Sequence, residues 1–335
     1  MMAQTELDHD ELLSRLHELA NQSLGLWDVP ADARARLINV SENATYLVET
    51  ENGYKSILRV HREGYHTRRA IECELCWTEA LNSSGCVTTP GIIQGRDGEI
   101  VQSAELPGKL GARMMVMFEF VEGEQPDETQ DLAGPFEELG EIAATTHEHT
   151  IAWKKPEPFE RLVWDLDAFY GPRATWGNWR DGPNVEAQIR AVLERVEATV
   201  RIRVSAFGQS EQRYGLIHAD MRLANLLIDN GNTRLIDFDD CGFGWFMYDF
   251  AAGISFIEDD PQIPAMREAW VAGYRKVRPL SDDEEKEIDS FIMLRRMALL
   301  AWIGSHIDVP EAQALAKNFA AVSAELGEGY LSRMS

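Results

Sequence analysis

The sequence has few cysteines and no long apolar stretch. Its four cysteines, Cys73, Cys76, Cys86 and Cys241, are too few for a disulfide framework in a chain of 335 residues. One C-x-x-C pair without a second pair is weak support for a zinc site, so reduced, packed thiols are expected. No window approaches about 18 uninterrupted apolar residues, which argues against a helix that spans a membrane.

Basic residues are scarce relative to acidic ones. The chain has 32 Lys and Arg against 56 Asp and Glu, a formal net charge of −24. Such a field repels nucleic acid and anionic lipids, so neither partner is expected, although an acidic surface that only maintains solubility is an equally simple interpretation. The first residues lack the basic and apolar segments of a signal peptide, and the expected location is the cytoplasm.

The first 120 residues combine helix and strand patterns. Residues 6–25 predict a helix, and two β-rich runs follow around Asn52-Gly53, a dipeptide typical of tight hairpins. Residues 68–85 predict a helix that is apolar on two sides and therefore packed between other elements. Further strands are predicted around 92–104, as a pair turning at Asp97-Gly98, and around 113–123.

The remainder is mainly helical, and the polar run 122–130 with Pro126 marks the best boundary. We therefore predict an α+β protein with an N-terminal domain of residues 1–120 and a helical domain of residues 121–335. The helices are predicted at 131–149, 184–206, 261–276, 281–305 and 310–327.

A short strand pattern interrupts the helical part just after the polar motif HADMRLAN, residues 218–225. Strands 226–228 and 233–236 flank Asn230-Gly231, again a hairpin signal. Antiparallel pairing about Gly231 would place Asn225 opposite Asp237, with backbones roughly 5 Å apart. Asp220 lies five residues before Asn225.

These side chains suit phosphoryl transfer. Carboxylate and amide oxygens at neighbouring strand ends suit Mg²⁺, which commonly also holds substrate phosphates. A second nearby carboxylate could accept the proton of a hydroxyl group. Because Asx residues are also common at strand ends for backbone reasons, geometry alone leaves a purely structural loop open.

The same residues carry a resemblance to a known family. His218-x-Asp220-x₄-Asn225, followed by Asp237, resembles the catalytic loop and metal-binding aspartate of kinases. With Ala219 after the histidine and the string IDFDDCGFGWFMYDFAAG, the chain is most similar to the aminoglycoside phosphotransferase family, which includes choline kinases and a homoserine kinase branch. The resemblance covers nearly the whole chain, through SENATYLVE, SILRVHREGY, ECELCWTEAL and MFEFVEG.

That resemblance implies a bilobal, protein-kinase-like α+β fold, with a small antiparallel-sheet N-lobe and a mainly helical C-lobe, that uses ATP and Mg²⁺. It implies that Asp220 is the catalytic base, that His218 braces the loop, and that Asn225 and Asp237 are metal ligands.

Three further aspartates follow the motif. Asp239 and Asp240 are candidates to assist with a second metal ion, and capping of the next turn is an equally open role for both. Asp249 resembles the buried aspartate that fixes the catalytic loop in this family.

The nucleotide-binding half departs from the kinase pattern. Arg59 stands where a lysine usually grips phosphates, and Lys55, on the same strand face, is the substitute candidate. Helical spacing does not choose between Glu72 and Glu74 as the partner of that cation, whereas the resemblance favours Glu74.

No G-x-G-x-x-G loop is present, and residues 40–45 take its place. Ser41 and Asn43 are therefore the candidates to cover the phosphates. Adenine is expected at Glu119 and Phe120, mostly through backbone groups.

Aromatic and acidic residues are dense in the half expected to hold the phosphate acceptor. Ring faces and carboxylates could bind an amine, although aromatics that merely pack the lobe are the alternative. The expected activity is phosphorylation of an amino alcohol, a hydroxy amino acid or an aminoglycoside; a protein serine/threonine kinase and a nucleotide-binding pseudokinase remain open. The candidate acceptor residues are Asp165, Trp176, Trp179, Trp245 and Tyr248, with Asp167 beside them.

Overall fold

The computed structural model describes residues 9–40, 42–127, 130–229, 232–308 and 310–334. The chain forms two compact units. The first takes in the described residues up to Ser83, with Thr88–Gly123 and Pro156–Glu160. The second takes in Ser84–Val87, Glu124–Lys155 and the described residues from Arg161 onward. The domain limits 1–120 and 121–335 remain a prediction, and residues 128 and 129 of the predicted boundary lie outside the described residues.

An antiparallel sheet forms the centre of the first unit. In the described part of the chain its strands follow the order β1-β2-β3-β6-β4, and β5 also pairs with β6. The predicted hairpin at Asn52-Gly53 joins β2 to β3, and Gly53 has a φ of 90°, which glycine adopts readily. The strands are β1 (Arg34–Val40), β2 (Ala44–Glu49), β3 (Lys55–Val60), β4 (Ile92–Ile93), β5 (Gln102–Leu106) and β6 (Leu110–Glu119).

The predicted pairing of the two strands around Asp97-Gly98 is wrong. β4 and β5 each pair with β6, so that Ile92 lies opposite Phe118. The Asp97 carboxylate accepts a hydrogen bond from the Glu99 backbone N–H at 3.0 Å, which closes the turn locally. Since β6 is ten residues long, it offers a partner to both strands.

Two helices, α1 (His9–Ser23) and α2 (Arg68–Ser83), complete the first unit. α2 buries two sides, as its sequence predicts: Ile71 and Leu75 on one side and Cys73 and Trp77 on the other are all at most 1% exposed. Residues 6–8 of the first predicted helix lie outside the described residues.

The second unit is mainly helical and contains two small sheets in its described part. One has the order β7-β11-β8, and the other is the hairpin of β9 and β10. The predicted helix 310–327 is two helices, α9 and α10. The elements are α3 (Ala133–Ala152), β7 (Leu162–Val163), α4 (Leu166–Tyr170), α5 (Ala187–Phe207), β8 (Tyr214–Ile217), β9 (Leu226–Asp229), β10 (Asn232–Leu235), β11 (Gly242–Trp245), α6 (Tyr248–Gly253), α7 (Ile263–Val277), α8 (Asp282–Ser305), α9 (Pro310–Ala316) and α10 (Phe319–Met334).

Local signals explain how the long helices begin and pack. α8 begins with a capping box, in which Ser281 and Glu284 satisfy each other's backbone N–H groups. Gly273 allows α7 to pack closely on α3, because a Cβ atom at this position would lie only 1.9 Å from the Glu137 carbonyl oxygen. α3 also contacts β8, the strand that precedes the loop 218–225, because Thr150 Oγ1 donates to the Leu216 carbonyl oxygen at 3.0 Å.

The described helices include none that is long and apolar enough to cross a membrane. All four cysteines are free thiols, as expected. The cytoplasmic location remains a prediction.

Candidate active site

The motif 218–225 begins directly after β8 and is held by a buried histidine. His218 is fully buried, and its Nδ1 accepts from the Asp220 backbone N–H at 3.3 Å. This places the ring proton on Nε2, which lies 3.1 Å from the Ile236 carbonyl oxygen and donates to it. His218 therefore links the loop to the segment that follows β10, consistent with the bracing role expected for it.

Asp249, at the start of α6, holds the same loop from the other side. It is fully buried, and its carboxylate accepts from the backbone N–H groups of Ala219 at 2.8 Å and His218 at 3.4 Å. His147 donates to it from Nε2 at 2.9 Å, and burial lowers the pKa of His147. These bonds stabilise Ala219 at a φ of 66°, a region rare for residues with a side chain.

Asp220 presents its carboxylate at the end of this loop, where several donors contact it. Oδ2 accepts from Asn225 Nδ2 at 3.0 Å and from Arg222 Nε at 3.3 Å, and Oδ1 accepts from Arg295 Nη2 at 2.9 Å. The side chain is 16% exposed. Burial raises the pKa of Asp220, but Arg222, Arg295, His218 and Asn225 outweigh it and hold the pKa below its usual value. The group is therefore ionised at neutral pH and able to accept a proton.

Arg295 is a contact of the site that the sequence patterns above do not reveal. It lies in α8, 75 residues from Asp220, so no motif joins the two. One signal was available: Arg295 and Arg296 interrupt the apolar run FIMLRRMALL. Since arginine is almost never fully buried unless it is paired, two arginines in such a run indicate buried partners.

The predicted register of the hairpin after Asn225 is wrong by one residue. Asp229 pairs with Asn232 and Leu226 with Leu235, and the Ile236 N–H donates to the Asn225 carbonyl oxygen at 2.9 Å. Asn225 is thus opposite Ile236 rather than Asp237, because the connection between the paired ends is only two residues long. Those two residues, Asn230 and Gly231, lie outside the described part of the chain.

The roles of Asn225 and Asp237 as metal ligands remain a prediction. Asn225 Nδ2 is occupied by the Asp220 carbonyl oxygen at 2.8 Å and by its carboxylate, so that the amide oxygen points elsewhere. Asp237 is exposed and has a φ of 60°. Within the described residues no cluster of three or more His, Cys, Asp and Glu could hold a metal ion, but a site for Mg²⁺ often has one or two carboxylates and completes its shell with phosphates and water.

The backbone carbonyl oxygens of the next two aspartates accept hydrogen bonds from buried side chains. The Arg161 guanidinium donates to the Asp239 carbonyl oxygen, and Trp164 Nε1 donates to the Asp240 carbonyl oxygen at 2.8 Å. Asp239 is 5% exposed. Its role as a third metal ligand remains a prediction.

In the first unit, Arg59 pairs with Glu74. Arg59 Nη2 and Glu74 Oε1 are 2.5 Å apart, and the side chains are 6% and 2% exposed. Glu72 instead pairs with Arg68 at 3.0 Å on the surface. Lys55 pairs with Glu122 at 3.1 Å and is 40% exposed, so the buried pair is the one that the resemblance implies.

The other described residues that were predicted to contact the nucleotide lie at or next to the ends of strands β2 and β6. Asn43 is buried, and its Oδ1 accepts from the Arg62 backbone N–H at 3.1 Å. Glu119 ends β6, and the Phe120 ring lies 4.6 Å from Lys55 Nζ. Ser41 lies outside the described residues.

The predicted acceptor residues fall into separate places, and two of them, Trp176 and Tyr248, contact Arg295, which donates to Asp220. Arg295 Cζ lies 5.1 Å from the ring centre of Trp176 and 5.7 Å from that of Tyr248. Arg180 Cζ lies 4.3 Å from the ring centre of Trp179. Arginines of the protein thus contact three of the four rings that were expected to bind an amine, those of Trp176, Trp179 and Tyr248.

Asp165 and Trp245 line a surface cavity of about 390 Å³, together with Asp167 and Gly208. Asp165 caps α4 by accepting from the Asp167 and Ala168 backbone N–H groups, and Trp245 Nε1 donates to the Gly208 carbonyl oxygen at 2.8 Å. Both side chains therefore have structural partners, and none of the described residues lining this cavity belongs to the motif 218–225.

Comparisons of the sequence give a match to a known family and similarity to a known kinase. Residues 34–280 match the model of the phosphotransferase enzyme family. Amicoumacin kinase of Bacillus subtilis (strain 168) is 24% identical to the chain over 301 residues, which cover 84% of this chain and 85% of that protein.

Comparisons with solved structures agree in fold. The structure of a microcompartment-associated aminopropanol kinase has a TM-score of 0.87 and 44% sequence identity, covering 94% of this chain and 97% of that chain. The structure of an amicoumacin kinase in complex with AMP-PNP, Ca²⁺ and Ami has a TM-score of 0.75 and 20% identity, covering 95% and 96% of the two chains. The second likeness shows the fold alone.

Proposed function

Because the chain belongs to the phosphotransferase enzyme family and is a kinase with the α+β fold of that family, we propose that it transfers the γ-phosphate of ATP to a hydroxyl group of a small amino alcohol. The observation that carries the chemistry is the Asp220 carboxylate, which is ionised, partly exposed and held by Asn225, Arg222 and Arg295. An ionised carboxylate that is partly exposed has a free proton-accepting form and can be reached by the acceptor hydroxyl.

The acceptor class rests on similarity and on chemistry. The most informative relative, named an aminopropanol kinase, is 44% identical to this chain over 94% of its length. Of the predicted acceptor residues, Trp176 is kept as a contact because its indole Nε1 is buried and has no hydrogen-bond partner in the described part of the chain. Asp165, Trp179, Trp245 and Tyr248 have structural partners, and a role for them in binding the acceptor would be additional.

Each remaining part of the reaction has candidate residues. Asn225 and Asp237 would hold a divalent cation, which we propose is Mg²⁺; when bound, it would neutralise charge on the phosphates. Asp239 is the additional candidate. Asp220 accepts the proton of the acceptor hydroxyl, while His218 and Asp249 keep the loop in place.

We assign the nucleotide phosphates to Arg59, with Glu74 as the carboxylate that holds it. Arginine can grip phosphate with two parallel hydrogen bonds, so the role does not require a lysine. Asn43 and Ser41 are proposed to cover the phosphates, and Glu119 and Phe120 to contact the base.

The test is ADP formation with ATP and Mg²⁺ against a set of acceptors. The set contains an aminopropanol, propanol without the amine as the matched control, a hydroxy amino acid, an aminoglycoside and a generic protein. We expect the aminopropanol to give the highest turnover and propanol to give little. Equal turnover of aminopropanol and propanol would remove the amine from the proposal, and turnover of the protein alone would replace it with a protein kinase.

A further inference from the structure

Arg295 is a buried charge that contacts the proposed base. Its side chain is 3% exposed, and Nη2 donates to Asp220 Oδ1 at 2.9 Å. The other donors are engaged as well: Nε donates to Ser255 Oγ at 2.9 Å and Nη1 to Tyr248 Oη at 3.1 Å. Because the donors of a guanidinium group have fixed directions in one plane, Ser255 and Tyr248 determine where Nη2 meets Asp220.

Two further contacts restrict the same guanidinium group. The rings of Trp176 and Tyr248 lie 5.1 Å and 5.7 Å from Arg295 Cζ, distances at which cation–π attraction acts. Nη1 also lies 3.4 Å from the carbonyl oxygen of Ala219, the residue with a φ of 66°. Arg295 therefore contacts both the Asp220 side chain and the left-handed residue that precedes it.

We propose that Arg295 is a positioning residue that fixes the Asp220 carboxylate in the orientation required for phosphoryl transfer. The expected effect of Arg295 on the reaction rate rests on the proposed function. Its effect on the position of the Asp220 carboxylate can be observed whichever acceptor the protein uses. Misplacement of a reacting group by about 1 Å can cost on the order of 10²-fold in rate. By holding the Asp220 carboxylate in place, Arg295 therefore raises kcat.

The alternative role, a buried ion pair that only stabilises α8, has a matched control in the next residue. Arg296 is 2% exposed, pairs with buried Glu258 and donates to Ser323 Oγ at 2.8 Å. The Phe319 ring centre lies 3.5 Å from its Cζ. Arg296 matches Arg295 in helix, burial and kind of contact, but its contacts belong to a different cluster.

The experiment compares Arg295→Met with Arg296→Met in thermal unfolding, steady-state kinetics and crystal structures. We expect both to lower Tm, because Arg296→Met leaves the buried Glu258 carboxylate without its cation and Arg295→Met removes the more buried of the two arginines that contact Asp220. Only Arg295→Met should lower kcat, by about 10²-fold, with little change in the KM for ATP. Only in that variant should the Asp220 carboxylate move from its wild-type position.

Two outcomes would overturn the proposal: equal kcat in the two variants, or an Asp220 carboxylate that is unmoved in Arg295→Met. If the wild-type protein phosphorylates no acceptor, the proposed function fails, and the crystal structures still decide whether Arg295 positions Asp220.

A second variant covers the case in which Arg295→Met does not fold. Tyr248→Phe keeps the ring and removes only the oxygen that accepts from Nη1. We expect it to fold and to lower kcat by about fivefold, the value of one ordinary hydrogen bond. Arg295→Lys keeps the charge but not the planar set of donors, so we expect it to fold and to have a kcat below that of the wild type. Wild-type kcat in Tyr248→Phe or in Arg295→Lys would overturn the proposal.

Discussion

Two arginine–carboxylate pairs, one in each unit, differ in how deeply the carboxylate is buried relative to its arginine. Arg59 and Glu74 are both at most 6% exposed, and the carboxylate is the more buried of the two. In the other pair Arg295 is 3% exposed while Asp220 keeps 16% of its side chain exposed. We infer that Glu74 holds the Arg59 guanidinium in place, whereas Arg295 holds the Asp220 carboxylate in place.

The difference follows from what the elements around each pair supply. Arg59 lies in the central strand β3 and Glu74 in α2, and the Phe118 ring lies 5.2 Å from the Arg59 guanidinium. Asp220 instead lies in a loop that His218 and Asp249 hold through hydrogen bonds. These bonds fix the loop and leave the Asp220 side chain 16% exposed. A group that accepts a proton from a substrate must be accessible in this way.

Removal of the charge on Asp220, the more exposed of the two carboxylates, should have the largest effect. Asp220→Asn keeps the shape of the side chain and removes its charge, so kcat should fall by about 10² to 10⁴-fold, the usual contribution of a positioned base. Nucleotide binding, measured by calorimetry, should change little. Retention of wild-type kcat would show that Asp220 is not the base.

Removal of the buried carboxylate should mainly affect stability and nucleotide binding. Glu74→Gln leaves the Arg59 charge without its partner, which typically costs about 3 to 5 kcal/mol when a buried pair is broken. The free energy of unfolding in urea and the KM for ATP measure the two effects. Glu72→Gln on the same helix is the control, and its loss should be below about 1 kcal/mol because its pairs are exposed. Equal losses in the two variants would contradict the account.

Substitution of the proposed metal ligand Asp237 should have an effect of intermediate size on activity. Asp237→Asn should raise the Mg²⁺ concentration needed for half-maximal activity by roughly tenfold, the equivalent of about 1.4 kcal/mol. Asparagine also tolerates the positive φ of this position, so the loop should retain its form. A variant with an unchanged Mg²⁺ requirement would place the ligand elsewhere.

The smallest effect is expected at the surface lysine that was the substitute candidate for Arg59. Lys55→Met removes a salt bridge to Glu122 in which both side chains are exposed, and such pairs contribute at most about 1 kcal/mol. The KM for ATP should stay within about twofold of the wild-type value. A large rise would transfer the phosphate role from Arg59 to Lys55.

The sequence was sufficient for the family, the fold class and the phosphotransferase activity, because these depend on short motifs and periodic patterns. The side chains of 218–225 lie within one loop, and α2 reveals its two buried sides through spacing alone. The comparison with known proteins confirms the family, the fold class and the phosphotransferase activity.

Features that depend on pairing between distant segments were predicted incorrectly or missed. The hairpin register after Asn225 is off by one residue because it depends on the length of a turn, and β5 pairs with β6 because that strand is long enough to serve two partners. Arg295 reaches Asp220 only through the packing of α8. Local patterns contain no information on such contacts beyond the presence of arginine in an apolar run.

The central claim, phosphorylation of a hydroxyl group on an amino alcohol, is tested most directly by ³¹P NMR of the wild-type reaction. ATP, Mg²⁺ and an aminopropanol should yield ADP and a new phosphomonoester signal in equal amounts, and the Asp220→Asn protein should yield almost none. Formation of inorganic phosphate alone, or of a phosphoramidate on the amine, would contradict the account.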